Sequence, residues 1–130
     1  MDCPNCGARL IVFSVPEEYQ ESVPEDAETA GLCPSCLELV AAPGHNVDAR
    51  FDRLSTAFPS DDAAAVPLAI ALGLLDSLAL HRRDIESLLE AVERAGTDPL
   101  LVIDRLDVQG GVQPPFDLGR RRHQLQQLID

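Results

Sequence analysis

The stretches MDCPNCG at residues 1–7 and LCPSCL at residues 32–37 decide the fold expected at the start of the chain. Each contains one Cys-x-x-Cys pair. The two pairs are the only cysteines in the sequence, namely Cys3, Cys6, Cys33 and Cys36. Two residues between paired cysteines let a tight turn aim both thiolates at one ion, and two facing turns supply a tetrahedral four-sulfur set. The spacing therefore predicts one metal site built from all four cysteines.

The residues around the cysteines fit this geometry, with one departure. Pro4 and Pro34 restrict the two turns, and Gly7 can take the positive φ that directs backbone N–H groups toward the sulfurs. Leu37 stands where the second turn would often have a glycine. The ligands are unaffected, but the shape of the second turn is left open.

Four thiolates complete the coordination shell of a metal, which indicates a structural rather than a catalytic ion. We expect one zinc ion, since Zn²⁺ accepts this ligand set without distortion. Iron in a rubredoxin-like site is the alternative, but such sites usually lie beneath an aromatic core, and this part of the chain has only Phe13 and Tyr19. Paired disulfides would require an oxidising compartment. A redox-active dithiol would require a helix directly after the Cys-x-x-Cys pair.

The composition indicates a protein that works in concentrated salt. Lysine is absent, and ten arginines face thirteen aspartates and nine glutamates, which gives a net charge of -12 at pH 7. Carboxylates keep a surface hydrated when salt screens their repulsion, so we expect a halophilic cytosol. At about 1 M salt the Debye length is about 3 Å, so the net charge does not exclude nucleic acid.

No stretch predicts export or a membrane partner. The N-terminus lacks the order of a signal peptide because a cysteine turn begins at residue 3. The most apolar window, residues 63–75, is shorter than the roughly 20 residues needed to span a bilayer. We therefore expect a cytoplasmic protein in which this window is a buried helix.

A change of composition near residues 41–46 predicts a zinc ribbon at 1–42 and a helical domain at 43–130. In the ribbon, residues 8–15 form a strand, and the acidic segment that follows makes a helical turn at 17–22 before a strand returns toward Cys33. Beyond the ribbon, apolar periodicity predicts five helices within residues 47–58, about 66–81, 82–96, 97–106 and 116–130. Asp84 and Asp98 are the expected N-caps of the third and fourth helices, and Gly96 is expected to end the third. The apolar stripe of the first helix and the apolar face of the third consist, respectively, of Val47, Phe51, Leu54 and Phe58 and of Ile85, Leu88, Leu89 and Val92. The fold class is α+β: a small N-terminal β zinc ribbon followed by an all-α bundle of about five helices.

The basic run GRRRH at residues 119–123 is the one concentrated positive feature. Arg120, Arg121 and Arg122 are candidates for binding an anion or a partner, because guanidinium groups match phosphate and carboxylate. The alternative is that they balance the chain's own acids, such as those of residues 17–28. The three histidines are scattered, and no nucleophile motif or phosphate-binding loop is present. We expect no catalytic activity.

The motif CPNCG resembles the CPxCG knuckle of small zinc-finger proteins from halophilic archaea. With LCPSCLEL, the apolar segment at 57–82 and LGRRRHQLQQL, the whole chain resembles an uncharacterised haloarchaeal zinc-ribbon family. The resemblance implies a zinc ribbon followed by helices, a cytosolic home and no known activity. We expect a non-enzymatic zinc-binding adaptor or regulator with a protein partner. A nucleic-acid or ribonucleoprotein accessory factor, using the ribbon and the arginine run, is the alternative.

Overall fold

A computed structural model describes residues 1–109 and 111–129; Gly110 and Asp130, the last residue of the final predicted helix segment, lie outside the described residues. A small antiparallel sheet is followed by helices, which confirms the predicted α+β class. The strands are β1 (Ile11–Ser14), β2 (Thr29–Leu32) and β3 (Leu39–Ala41). The α-helices in the described residues are α1 (Asp62–Leu74), α2 (Arg82–Arg94), α3 (Pro99–Gln109) and α4 (Leu118–Ile129).

The sheet has the order β1-β2-β3, and its pairing places both cysteine turns at one end. Ile11 at the start of β1 lies opposite Leu32 at the end of β2, which in turn lies opposite Leu39 at the start of β3. The first cysteine pair precedes β1 and the second connects β2 to β3. The β1–β2 connection contains the predicted turn, a 3-10 helix over Glu17–Ser22.

The core is continuous from the sheet into the helices. Residues 64–72 of α1 are all buried, as expected for a central helix that is apolar all round. α1 contacts β2, β3 and α2. At Gly73 the helix packs so close to β3 that an added methyl group would overlap the Cβ of Leu39. This core spans the predicted boundary at residues 42/43, and the two-domain division stays a prediction.

The helix predicted over residues 47–58 is wrong. Only Phe51–Arg53 forms a 3-10 turn, because the backbone N–H groups of Asp48 and Ala49 both donate to the carbonyl of Val12 at the edge of the sheet. Ala49 has a φ of 48°, which is incompatible with a continuing helix. The predicted apolar stripe is nevertheless buried at its last three positions, Phe51, Leu54 and Phe58. The segment thereby covers the exposed edge of β1.

The helix ends follow local chemistry, with some shifted boundaries. α1 begins four residues earlier than expected, with Asp61 accepting from the Ala63 N–H at 3.1 Å. α2 begins at Arg82 after His81, so the predicted cap at Asp84 is wrong. Asp98 caps α3 as predicted, accepting from Leu100 at 3.1 Å. No helix within residues 1–109 and 111–129 has the length and hydropathy to cross a membrane.

Candidate metal centre

The four cysteines meet at one end of the sheet. In the sequence, 26 residues separate the first Cys-x-x-Cys pair from the second. Their Sγ atoms all lie within 4.8 Å of one another. The Sγ atoms of Cys3 and Cys36 are 3.6 Å apart, and those of Cys6 and Cys33 are 3.4 Å apart. Four sulfurs at about 2.3 Å from Zn²⁺ would be separated by about 3.8 Å, whereas a disulfide requires about 2.05 Å. The arrangement is that of free thiols that can hold a metal ion.

Both turns have the same backbone conformation. The N–H of Gly7 donates to the carbonyl of Cys3 at 2.9 Å, and the N–H of Leu37 donates to the carbonyl of Cys33 at 3.1 Å. Gly7 and Leu37 have φ values of 82° and 64°. The question left by the missing glycine is therefore answered: the second turn matches the first.

Leu37 adopts this conformation because its side chain is anchored elsewhere. A left-handed conformation costs a residue with a Cβ about 1–2 kcal/mol. The side chain is only 2% exposed and belongs to the main core with Leu39 and Leu74. Full burial of a leucine contributes about 1.5–3 kcal/mol, which offsets the strain. The second turn is thus fixed to the helices as well as to the metal site.

Polar hydrogens surround the sulfurs. The backbone N–H groups of Ser35 and Cys36 both point at Cys33 Sγ from 3.4 Å, and that of Asn5 points at Cys3 Sγ from the same distance. The Asn5 side chain adds a contact from Nδ2 to Cys36 Sγ at 3.7 Å. Such donors stabilise thiolates and orient them toward a metal.

Differences in burial and hydrogen bonding shift the pKa values of the cysteines in opposite directions. Cys3, Cys33 and Cys36 are buried, whereas Cys6 is exposed. Burial raises the pKa of Cys33 to about 12 and also raises the pKa of Cys36, since a buried thiolate loses hydration. The Ala8 backbone N–H, together with the Cys33 thiol, lowers the pKa of Cys6 to about 7. A bound dication would compensate the negative charge that burial disfavours.

Aliphatic residues pack around the cysteines. Leu10 is buried with them, and Ala8 and Val40 pack at the margin. Phe13 lies in the main core instead, in contact with Phe51 at a ring separation of 5.4 Å. Across residues 1–109 and 111–129, no histidine or carboxylate joins the four sulfurs, and no second cluster of potential ligands forms.

Comparison with known proteins places the chain in a family. The profile described as "Family of unknown function (DUF6276)" matches residues 2–129, which includes both cysteine turns and all four helices. The chain belongs to the DUF6276 family. Neither the curated proteins nor the solved structures give a match to it. The family description assigns no role, and the haloarchaeal origin stays a prediction.

The arginines of the basic run in this DUF6276 protein have separate contacts within the chain, and their role in binding an anion or a partner stays a prediction. Arg120 is exposed, and its backbone N–H donates to Asp117 Oδ1 at 3.0 Å. Arg122 pairs with Asp104 at 3.6 Å. Arg121 donates from Nε to the Leu75 carbonyl at 2.9 Å. The guanidinium groups of Arg121 and Arg122 therefore contact different neighbours, and the acid that balances Arg122 lies on α3 rather than in residues 17–28.

Two residues that support the candidate metal centre were not predicted. Asn5 lies between the first two cysteines, a position from which a side-chain amide can donate to sulfur. Its contact could therefore have been inferred from the sequence. Arg53 donates to the carbonyls of Arg9 and Leu10, at 2.6 and 3.3 Å, and so ties the 3-10 turn to the strand that leaves the first cysteine turn. Nothing in the local sequence around Arg53 indicates this contact, because its partners are more than forty residues away.

Proposed function

We propose that this DUF6276 protein is a non-enzymatic adaptor or regulator in which one structural Zn²⁺ is held by Cys3, Cys6, Cys33 and Cys36. The observation that carries the proposal is the four-sulfur cluster within 4.8 Å, with three of its members buried. Four thiolates leave no coordination position for a substrate or an activated water, which disfavours metal-dependent catalysis. The metal's role is then to hold the two turns together.

Zinc is proposed over iron on the character of the surroundings. A tetrahedral four-thiolate set suits either metal. The neighbours of the sulfurs are Leu10, Ala8 and Val40, whereas rubredoxin-like iron sites usually lie beneath aromatic side chains. Zinc ligation also needs reduced cysteines, which supports a cytoplasmic location.

The need for a metal follows from how little structure surrounds the turns. The three strands are four, four and three residues long, and the apolar cluster at the cysteines is separate from the main core. Structural zinc supplies apparent binding free energies of about 10–16 kcal/mol in finger-sized peptides. One ion can therefore order both turns.

A protein partner is proposed over nucleic acid. A nucleic-acid-binding surface requires clustered cations. Arg122 of the basic run is paired with Asp104, Arg121 is half-buried beside the Leu75 carbonyl, and Arg9 is the only base in residues 1–42, so the chain lacks a broad cationic surface of this kind. The fold also offers exposed apolar side chains outside the ribbon, among them Leu80 and Val108.

Two experiments test these proposals separately. Substitution with Co²⁺ should give the intense sulfur-to-metal charge-transfer absorption of a four-thiolate site, and Cys33→Ser should weaken it, while Ser35→Ala should not. Affinity purification of the tagged chain at high salt, with and without nuclease, tests the partner. Recovery of a stoichiometric protein that survives nuclease supports the adaptor role. Recovery of RNA or DNA, with protein lost after nuclease, contradicts it.

A further inference from the structure

A groove with both apolar and cationic walls lies beyond the C-terminal end of α1. It has a volume of about 510 Å³ and runs between the turn after α1 and the face of α4. Leu78, Leu80 and Leu128 supply apolar surface, Arg82 and Arg121 supply positive charge, and Asp76 supplies one negative charge. Leu80 is 83% exposed, the most exposed of the large apolar side chains described.

Arg121 is held ready for an anion. Its Nε donates to the Leu75 carbonyl and its Nη1 to Gln124 Oε1, both at 2.9 Å, and the guanidinium carbon lies 5.8 Å from the centre of the Phe116 ring. The side chain is half-buried. Although the chain has 22 acids, no carboxylate of the described residues lies within ion-pair distance of Arg121. A fixed, partly desolvated guanidinium favours a carboxylate from outside.

The acidic segment, defined as residues 16–28, has the complementary character. It contains six acids and no base, and all six acids are exposed. None of the six forms an ion pair with the described residues. The segment therefore carries a concentrated charge without compensation.

The groove and the acidic segment lie at opposite ends of α1. Pro16, Glu18 and Tyr19 share a hollow with Asp62 and Ala63 at the start of the helix. Arg121 instead contacts Leu75, the residue after the last turn. A helix of 13 residues is about 20 Å long. A chain with this arrangement cannot pair its own segment with its own groove, but two antiparallel copies can pair both at once.

We propose that the groove binds the acidic segment of a second copy, in a two-fold dimer. Carboxylates of each segment meet Arg121 and Arg82 of the other chain, and Leu80 covers apolar parts of the segment. Two-fold symmetry makes both contacts equivalent and closes the assembly. In concentrated salt the repulsion between two acidic chains is screened beyond a few ångströms, while contacts at the groove persist. This proposal goes beyond the adaptor role and does not depend on the identity of the metal.

Sedimentation velocity on the metal-loaded full chain, over a range of concentrations at about 1 M salt, tests the dimer. We expect a concentration-dependent dimer whose dissociation constant rises about tenfold in Leu80→Ser and in Arg82→Glu. Both side chains are exposed, and the ion pair of Arg82 with Glu86, at 3.5 Å, lies on the surface, so we expect both variants to fold. Val108→Ser is the matched control, since Val108 is 78% exposed on α3. It should leave the dimer unchanged.

A charge-swapped pair provides the decisive arm. A chain with Glu17, Glu18 and Glu21 changed to Arg should self-associate more weakly than the unchanged chain, as Arg82→Glu should. A mixture of the two should form a heterodimer, because every groove then meets a segment of opposite charge. A monomer at all concentrations overturns the proposal, as does a dimer indifferent to the groove variants. If the chain stays monomeric but binds a labelled 16–28 peptide, the dimer is also overturned. The groove would then accept an acidic segment of another protein. Metal content measured on the same samples keeps this result separate from the zinc proposal.

Discussion

Leu37 occupies in the second cysteine turn the position that Gly7 occupies in the first, and both residues have a positive φ, 64° and 82°. Gly7 is exposed, and a Cβ there would meet no atom within 4 Å. Leu37 is buried against the helices. The first turn therefore uses a glycine, which adopts a positive φ without strain. The second turn has a strained leucine whose side chain packs in the core.

This relationship predicts an unusual order of stability at position 37. Leu37→Ala removes buried side-chain atoms at a cost of about 2–5 kcal/mol but retains the left-handed strain. Leu37→Gly loses that packing and the Cβ as well, but its relief of the left-handed strain exceeds the extra chain entropy that glycine loses on folding by about 1 kcal/mol. We expect the glycine variant to be the more stable of the two by about 1 kcal/mol in urea unfolding.

Leu39 provides the control for this comparison, since it is also buried but lies in β3. Glycine weakens a strand relative to alanine. The order should therefore be reversed there, with Leu39→Ala more stable than Leu39→Gly. An alanine variant that is the more stable of the two at position 37 would contradict the strain argument.

Gly73 is predicted to be intolerant of alanine. A methyl group at this position would overlap the Cβ of Leu39, where α1 packs against β3, and relieving the overlap would require a shift within a close-packed core. We expect Gly73→Ala to lower the free energy of unfolding by about 1–3 kcal/mol, measured in urea. Gly111→Ala, where an added Cβ meets no atom within 4 Å, should be nearly neutral. Equal effects at the two glycines would refute this packing.

We predict that the Arg53 side chain stabilises the fold and that the side chain of nearby Arg50 does not. Arg53 donates to two main-chain carbonyls beside the first cysteine turn. Hydrogen bonds from charged groups contribute about 1.5–3 kcal/mol, and we expect Arg53→Gln to cost about 1–2 kcal/mol because the side chain is partly exposed. Arg50 pairs only with Asp52 on the surface. Thermal unfolding should show a lowered midpoint for Arg53→Gln and no change for Arg50→Gln; a similar midpoint in both would be inconsistent with the observed contacts.

Asn5 is predicted to tune the metal affinity. Its amide contacts Cys36 Sγ across the two turns. Outer contacts of this kind typically change metal affinity by about 10–100-fold, and a long contact to sulfur belongs at the lower end. Asn5→Ala should weaken zinc binding about tenfold in competition with a chelator. Asn46→Ala, at an exposed position in the loop after β3, should not. An unchanged zinc affinity in Asn5→Ala would show that the amide contact to Cys36 does not stabilise the bound metal.

The features that the sequence predicted are those with local causes. The two Cys-x-x-Cys turns, the Asp98 cap and the end of α2 just before Gly96 depend on neighbouring residues, and all appear as expected. Apolar periodicity also identified the buried face of α2 correctly, with Ile85 and Leu89 fully enclosed.

The features that the sequence did not predict depend on distant partners. Residues 47–58 have a helical apolar pattern, yet Asp48 and Ala49 bond to Val12, and the edge of a sheet displaced a helix. Leu37 looked like a departure from the motif because its compensation lies in the main core. The arginine run looked like one cluster because sequence proximity hides that Arg121 and Arg122 have different partners.

The central claim is that four cysteines hold one zinc ion, and elemental analysis of the chain purified without added metal tests it most directly. We predict one equivalent of zinc per chain in the unchanged protein and in Ser35→Ala, and its loss in Cys33→Ser. One equivalent of iron instead of zinc would show that the four-cysteine site binds iron and that the proposed metal is wrong. The absence of any stoichiometric metal in freshly purified, reduced protein would contradict the claim.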